Sequence, residues 1–514
     1  MNDSNQIKFG AIISYGVVIF NVIAGLLYTP WMVAKIGKND YGLYILATTF
    51  LAYFVVDYGM WQSISKLVSQ YRAEGSQKKI ENVIGIATKI YLVLDIIVCV
   101  ALFTAYFFID SIFKNLTPYD LVKFKTVFVI AAIFSILNFP FGFVRGIIYA
   151  YEYLIESRFF ELGTKVVIII CTVAALLFGG GLYWLVLVYA SVPLIKNAGI
   201  IFFLYKKGIR MSLKFWSRAM AKSIIGISVW LFLCVLAELF INNISPAIIT
   251  IKSHLEQVAI FGIGITIYGY AFSISNSVSG FFLPKVTRMI YIGQQKEIYD
   301  YAIKIGRLQL IISGFIIFGI IVSGSLFINA WMGKSFANSY YVAVLMLLPG
   351  LIIYTQQIEL TLLYAENKIY FQSIMMLFTA ITTIILSLVF TPKFGAIGAA
   401  IAICIANMGF MVIGMNMVYR KVLKFNSRRF FRMAFKFVSV FLLIGGCVKL
   451  FEIFVYEPYL LLSNKWADFV IMATFYTVLY AILVYFLLLN NYEKELVKHS
   501  VRKAKKILMN HVQR

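Results

Sequence analysis

The chain has 514 residues, 61% of them hydrophobic and 13% charged, with a mean hydropathy of +0.88. A soluble domain cannot hide that much apolar surface, and no polar gap between the apolar runs is long enough to hold one. The net charge of +24 would point to nucleic acid in a soluble protein; here the Lys and Arg collect in alternate connections, as in a membrane protein with basic cytoplasmic loops. A β-barrel is excluded because its strands alternate apolar and polar, whereas Val166-Val167-Ile168-Ile169-Ile170 does not. No nucleic-acid partner is expected.

About fourteen apolar helices are expected, each near the ~20 residues that cross a bilayer. In chain order they cover 8–33, 41–65, 83–109, 122–149, 159–178, 183–205 and 224–249, then 258–283, 298–328, 340–364, 370–390, 396–419, 431–455 and 467–489. No cleavage pattern follows the first stretch, so a removable signal peptide is not expected. Basic connections recur at Lys66–Lys79, Arg158, Lys206–Lys222, Lys285–Lys296, Lys368, Arg420–Arg432 and beyond Asn491. That set is expected to be cytoplasmic, with both termini inside, as an even helix count also requires. The tail after Asn491 could lie on an anionic membrane surface or end as a solvated helix. Cys99, Cys171, Cys234, Cys404 and Cys447 stand singly in apolar segments, so neither a disulfide framework nor a metal site is indicated, and no cofactor is expected.

The two halves echo each other. Pro30 and Pro246 are expected to end the first and seventh helices, and Gly75 and Gly293 follow the next helix in each copy. Tyr149-Ala150 recurs as Tyr364-Ala365, and Lys89 corresponds to Arg307. Six helices return the chain to its starting side, so the copies run parallel, a design of secondary transporters with the substrate path between halves. The organisation expected is a first six-helix bundle over 1–210, a second over 211–425, two further helices over 426–490, and a basic tail over 491–514.

Ionisable residues within apolar helices are costly and mark functional positions by default. Glu161 and Lys165 are four residues apart and Lys449 and Glu452 three, so each pair can neutralise itself on one face. Lys89, Arg145 and Lys196 have no carboxylate one turn away, and Lys304 and Arg307 share a face. Around an interior space such cations suit an anionic substrate, and arginine matches phosphate bidentately. An ion couple needs an acid in the same place; Asp57, Glu238 and Glu359 are the candidates, and each could instead be a helix–helix hydrogen bonder. Lys66 follows Asp57 by nine residues, which at about 100° per residue puts the two on opposite faces; it reads as part of the cytoplasmic mouth. His254, His499 and His511 read as loop or tail, so a histidine relay is not expected. Interface belts account for most of the aromatic residues; some could line the path and stack on sugars.

The pattern Pro30…Ile36-Gly37…Tyr41-Gly42-Leu43-Tyr44…Asp57-Tyr58-Gly59…Lys66 resembles the N-terminal signature of polysaccharide repeat-unit flippases. These are the O-antigen and capsule translocases of the multidrug/oligosaccharidyl-lipid/polysaccharide exporter superfamily. Tyr149-Ala150 before Glu152 and Gly395-Ala396-Ile397-Gly398-Ala399-Ala400 also look like family features. The resemblance implies an all-α polytopic, MATE-like fold: two parallel six-helix bundles around a cationic cavity, plus two C-terminal helices. It implies that an undecaprenyl-diphosphate-linked oligosaccharide is flipped across the bacterial cytoplasmic membrane by alternating access. An H⁺ or Na⁺ gradient, or the membrane potential, would drive the cycle, with a polysaccharide polymerase and chain-length regulator as partners. Asp57 and Lys66 fall on the family's second-helix pattern. The second copy departs from it, since Ser273, Ser275, Asn276 and Ser277 stand where the acid lies in the first. An ion-coupled small-molecule exporter and a peptidoglycan-precursor flippase stay open. A membrane enzyme is disfavoured because no external connection is long and no acidic pair such as DxD occurs.

Overall fold

The structure is a computed structural model that describes residues 3–55, 60–276, 289, 295–366, 368–456, 464–491 and 493–495. Among the described residues every regular element is a helix. In order these are α1 (Asp3–Ile36), α2 (Lys38–Val55), α3 (Met60–Ala73), α4 (Gln77–Ile112), α5 (Pro118–Asn138) and α6 (Val144–Ala150). Then come α7 (Leu154–Leu177), α8 (Leu182–Lys206), α9 (Arg218–Lys252), α10 (Leu255–Asn276), α11 (Gln295–Trp331) and α12 (Ser339–Leu347). The last are α13 (Gly350–Ile353), α14 (Gln357–Ala365), α15 (Tyr370–Ala406), α16 (Met415–Val422), α17 (Ser427–Phe451) and α18 (Lys465–Leu483).

Twelve segments among the described residues are long and apolar enough to cross a membrane. The expectation of about fourteen departs from this at two places. The segment 41–65 runs through 56–59, which lie outside the described residues. The segments 370–390 and 396–419 belong to one run, Tyr370–Val422, of 53 residues. At ~1.5 Å per residue that run is about 80 Å long, far more than the ~30 Å of hydrocarbon, and it bends at Gly395, where φ is +55° and ψ −129°. The Gln257 side-chain oxygen accepts from the Ala396 N–H at 3.1 Å, meeting a donor the bend frees.

The prolines do not end their helices. Pro30 lies inside α1 and Pro246 inside α9. Each removes one backbone donor, a loss that neighbouring groups can absorb within a membrane helix. Beyond Pro246, the Thr250 hydroxyl donates to its carbonyl at 2.8 Å. The chain reverses at Gly37 instead, whose φ of +83° favours glycine.

Packing divides the chain into two compact units. The first comprises 1–277, 341–349 and 363–418. One of its cores joins Ile64 and Val68 of α3 to Val83 and Ile86 of α4, Ile147 of α6 and Ile224 of α9. Another joins Leu43 and Leu46 of α2 to Phe124 and Val127 of α5 and Val186 of α8. Lipid is as apolar as these side chains, so close packing rather than water exclusion holds such cores together.

Near the α1–α2 turn, α2 lies hard against α10. A Cβ on Gly42 would stand 2.4 Å from the Leu255 carbonyl oxygen, and one on Gly262 2.6 Å from Ile45 Cγ1. Ion pairs fasten the same end: Lys38–Glu256 at 3.3 Å, Lys123–Asp40 at 2.7 Å and Lys125–Asp110 at 2.6 Å. Tyr28 of α1, Tyr41 and Tyr44 of α2 and Tyr270 of α10 gather beside the seam, and the Tyr28 hydroxyl donates to the Met32 sulfur at 3.0 Å.

The second unit comprises 278–340, 350–362 and 419–514. Its axis is α11, against which α17 and α18 pack. Gly314, Gly319 and Gly324 notch α11 every five residues. The Phe441 ring enters within 2.3 Å of where the first would carry a Cβ, Tyr476 within 3.1 Å of the second and Tyr340 within 3.2 Å of the third. The Tyr476, Tyr480 and Tyr340 hydroxyls donate to the Phe315, Ile311 and Ile321 carbonyls at 2.7, 2.7 and 2.6 Å.

Candidate functional site

Three cations and two aromatic rings come together in the first unit. A Cβ on Gly146 of α6 would stand 2.6 Å from the Trp61 carbonyl oxygen of α3. That close approach sets the neighbouring Arg145 beside α3. Its guanidinium carbon lies 4.6 Å from the centre of the Trp61 ring and 5.7 Å from that of Tyr149, and the two rings are 4.7 Å apart. Such cation–π contact is worth ~0.5–2 kcal/mol, more as water is excluded. Arg145 remains exposed.

Lys196 lies mid-way along α8 and interacts electrostatically with Glu161, Arg145 and Lys165. Lys165 is mid-way along α7. The expected Glu161–Lys165 pair is corrected. Glu161 Oε2 is held by Arg158 at 2.6 Å, and Lys165 feels that carboxylate only at longer range. The short reach to the fork at i−3 leaves the ammonium at i+4 without the acid. Among the described residues, Arg158, Lys165 and Lys196 therefore share the Glu161 carboxylate, with Arg145 beside Lys196. Beside them the Asn197 amide donates to Asn138 Oδ1 at 2.7 Å, which ties α8 to the end of α5 and fixes the turn that carries Lys196. The two ammoniums near mid-span, Lys165 and Lys196, are costly unless they meet water or an anion. Two ammoniums and a forked guanidinium can hold a phosphate or an acidic sugar, with the Trp61 and Tyr149 faces alongside.

Of the expected cations, Arg145 and Lys196 are thus brought together. Lys165 was hidden in sequence by its nearby acid; Arg158 three residues before Glu161 was the available signal against that pairing. Lys66 is exposed on α3. Lys89 serves the connection between α8 and α9: its ammonium donates to the Phe215 carbonyl at 3.1 Å and lies 5.8 Å from the Trp216 ring. The Ser212 N–H donates to the Glu81 carbonyl at 3.0 Å, so the same connection is clamped to α4 by backbone as well.

Arg307 has the carboxylate partner that its own helix lacks. In the second unit its Nε donates to Glu493 Oε1 and its Nη2 to Glu493 Oε2, both at 2.8 Å, and Nη2 also reaches the Leu488 carbonyl at 2.8 Å. Glu493 is 3% exposed. Burial pushes its carboxyl up, but bonds from Arg307 and the Asn490 backbone, with the charges of Arg307 and Lys304, outweigh it and hold the group below the ordinary glutamate range. Lys449 pairs with Glu452, as their spacing implies.

Among the acids, Asp57 lies outside the described residues. Glu238 is exposed on α9 and interacts with Cys234 and Tyr364; the Cys234 sulfur is 3.1 Å from the Ser373 hydroxyl of α15. Glu359 is fully buried in the second unit.

Residues 7–291 match the family model described as polysaccharide biosynthesis protein. No curated protein matches the sequence. Among solved structures, the lipid II flippase MurJ in an inward closed conformation is 14% identical with a TM-score of 0.69, covering 95% of this chain and 100% of its own. An inward-facing MATE multidrug resistance transporter of the MOP superfamily is 13% identical with a TM-score of 0.61, covering 79% and 97%. A MOP superfamily transporter from Pyrococcus furiosus Vc1, described as having a binding pocket of reverse polarity, is 16% identical with a TM-score of 0.55, covering 80% and 93%. The matched region contains the Pro30–Lys66 pattern and the whole cationic cluster; the fold is the one MurJ and MATE transporters share, and the chain belongs to the polysaccharide biosynthesis protein family.

Proposed function

We propose that this protein flips an undecaprenyl-diphosphate-linked oligosaccharide repeat unit from the inner to the outer leaflet of the bacterial cytoplasmic membrane, for O-antigen or capsule assembly. The observation that carries the reading is the cluster of Arg145, Lys165 and Lys196, whose acid among the described residues, Glu161, is already held by Arg158. A diphosphate supplies the missing negative charge, and Trp61 and Tyr149 offer faces to the first sugar. Both termini lie inside, and two bundles alternate about the path. Lys66 stands at the mouth, Asp57, Glu238 and Glu359 serve coupling or gating, and polymerase and chain-length regulator take the product outside. Lys89 contributes by holding the inter-bundle connection rather than by touching substrate.

A peptidoglycan-precursor flippase is the second reading. The similarity to MurJ over 95% of this chain, against 79% for the MATE transporter, favours a lipid-linked cargo over a small molecule. Gene deletion separates the two. Loss of surface polysaccharide, with repeat units retained on the cytoplasmic face of viable cells, supports the first. Lysis with arrested wall synthesis supports the second. Normal surface glycan and normal wall, with no redundant flippase present, refutes both.

A further inference from the structure

The second unit holds an acid whose carboxyl oxygens have no partner among the described residues. Glu359 lies within the apolar span Ser339–Ala365 and is 0% exposed. Neither of its carboxyl oxygens has a hydrogen-bond partner among the described residues. It sits just past an irregularity, because α13 passes into a 3₁₀ turn, Tyr354–Gln356, before α14 begins. Short 3₁₀ stretches inside helices mark hinges, and broken membrane helices recur where transporters hold ions. Thr355 and Gln356 in the turn are buried as well, so the break gathers polar groups beside the acid.

The elements packed around this turn are α11 and α17, since the Thr355 carbonyl, Phe430 and Met433 all converge on Gly306. The charged or titratable groups on α11 are Lys296, Glu297, Tyr299, Asp300, Tyr301, Lys304 and Arg307, and on α17 they are Arg428, Arg429, Arg432, Lys436, Cys447 and Lys449. Lys304 and Arg307 act on Glu493, Arg429 holds Asp300 and Lys449 holds Glu452. No charge among the described residues acts on Glu359. A bare carboxylate ion without donor or counter-charge in such a place is far costlier than the neutral acid. No group of three or more acid, His or Cys side chains assembles among the described residues.

We propose that Glu359 is a proton-binding site, which carries its proton in this conformation and gives it up when the 3₁₀ hinge rearranges to admit water. This names the coupling ion of the flippase reading as H⁺ rather than Na⁺. The role in transport rests on that reading; the bound proton does not.

Infrared spectroscopy of the purified full-length protein in lipid nanodiscs, without substrate, tests it. The carbonyl-stretch band of a protonated carboxylic acid is expected in the wild type at neutral pH. The band shifts in D₂O, is lost in Glu359→Gln, moves in frequency in Glu359→Asp and does not change on adding NaCl. Identical wild-type and Glu359→Gln spectra overturn the proposal, as does loss of the band on adding Na⁺. Because no cargo is present, a failure of the flippase reading leaves this result intact, and the reverse also holds. Matching thermal unfolding of wild type and Glu359→Gln shows that the spectra compare folded proteins.

Discussion

Replacing Glu493 with Gln removes half of a two-point clasp. The two 2.8 Å bonds from Arg307 engage both carboxylate oxygens. Gln keeps one acceptor and turns an NH₂ toward the guanidinium. Breaking a buried ion pair from one side costs roughly 3–5 kcal/mol. The Arg307 side chain retains 19% exposure, so water can reach it, and Glu493→Gln is expected near the lower end, about 3 kcal/mol. Arg307→Met strands a carboxylate that is 3% exposed, and is expected nearer 4 kcal/mol. The double variant leaves no stranded charge, so the cycle should show a coupling of about 2–3 kcal/mol. Unfolding of the detergent-purified protein, followed by heat or denaturant, measures all three. The pH dependence carries a sign. The folded-state carboxyl lies below its unfolded value, so its stabilisation is fully present above the unfolded value, about 4.3, and fades as pH falls through the folded one. The wild type should lose stability in that acid window while the double variant loses less. Single variants within 1 kcal/mol of wild type, or strict additivity, refute the reasoning.

At the seam near the α1–α2 turn, Gly42→Val meets backbone, the Leu255 carbonyl at 2.4 Å. It should force α2 off α10 at a cost of about 1–3 kcal/mol, lowering disulfide yield between cysteines placed at 38 and 256. Gly262→Ala meets only the movable Ile45 side chain and should be milder in both readouts. Arg145→Ala and Lys196→Ala should each cut surface polysaccharide at unchanged protein level. Lys449→Ala breaks a partly exposed i,i+3 pair, worth up to about 1 kcal/mol, and should leave export intact. Lys89→Ala should raise proteolysis of the connection around Phe215 before it alters substrate capture.

The membrane-spanning, all-helical architecture was legible because apolar runs of helical length leave no other option. Arg145 and Lys196 were legible because neither has an acid within a turn. Arg307 was not, since its partner lies 186 residues away and spacing arguments see only one helix. The reversal at Gly37 rather than Pro30 shows a related limit: a missing donor weakens a helix, but a left-handed residue turns it. The 3₁₀ break before Glu359 leaves no mark in an apolar run whose composition suits an unbroken helix equally well.

The three notches of α11 bear on how the second unit can move. Phe441 of α17 and Tyr476 of α18, seated in two of them, prevent the pair from sliding along α11 by small increments; they shift by whole steps or travel with it. The C-terminal pair is thus keyed to its axle like teeth on a rack, so any swing of α11 carries the lipid-facing surface of the last helices with it. Removing that pair would empty the sockets at Gly314 and Gly319 to the acyl chains, leave only Tyr340 of α12 in the third, and free α11 to rotate.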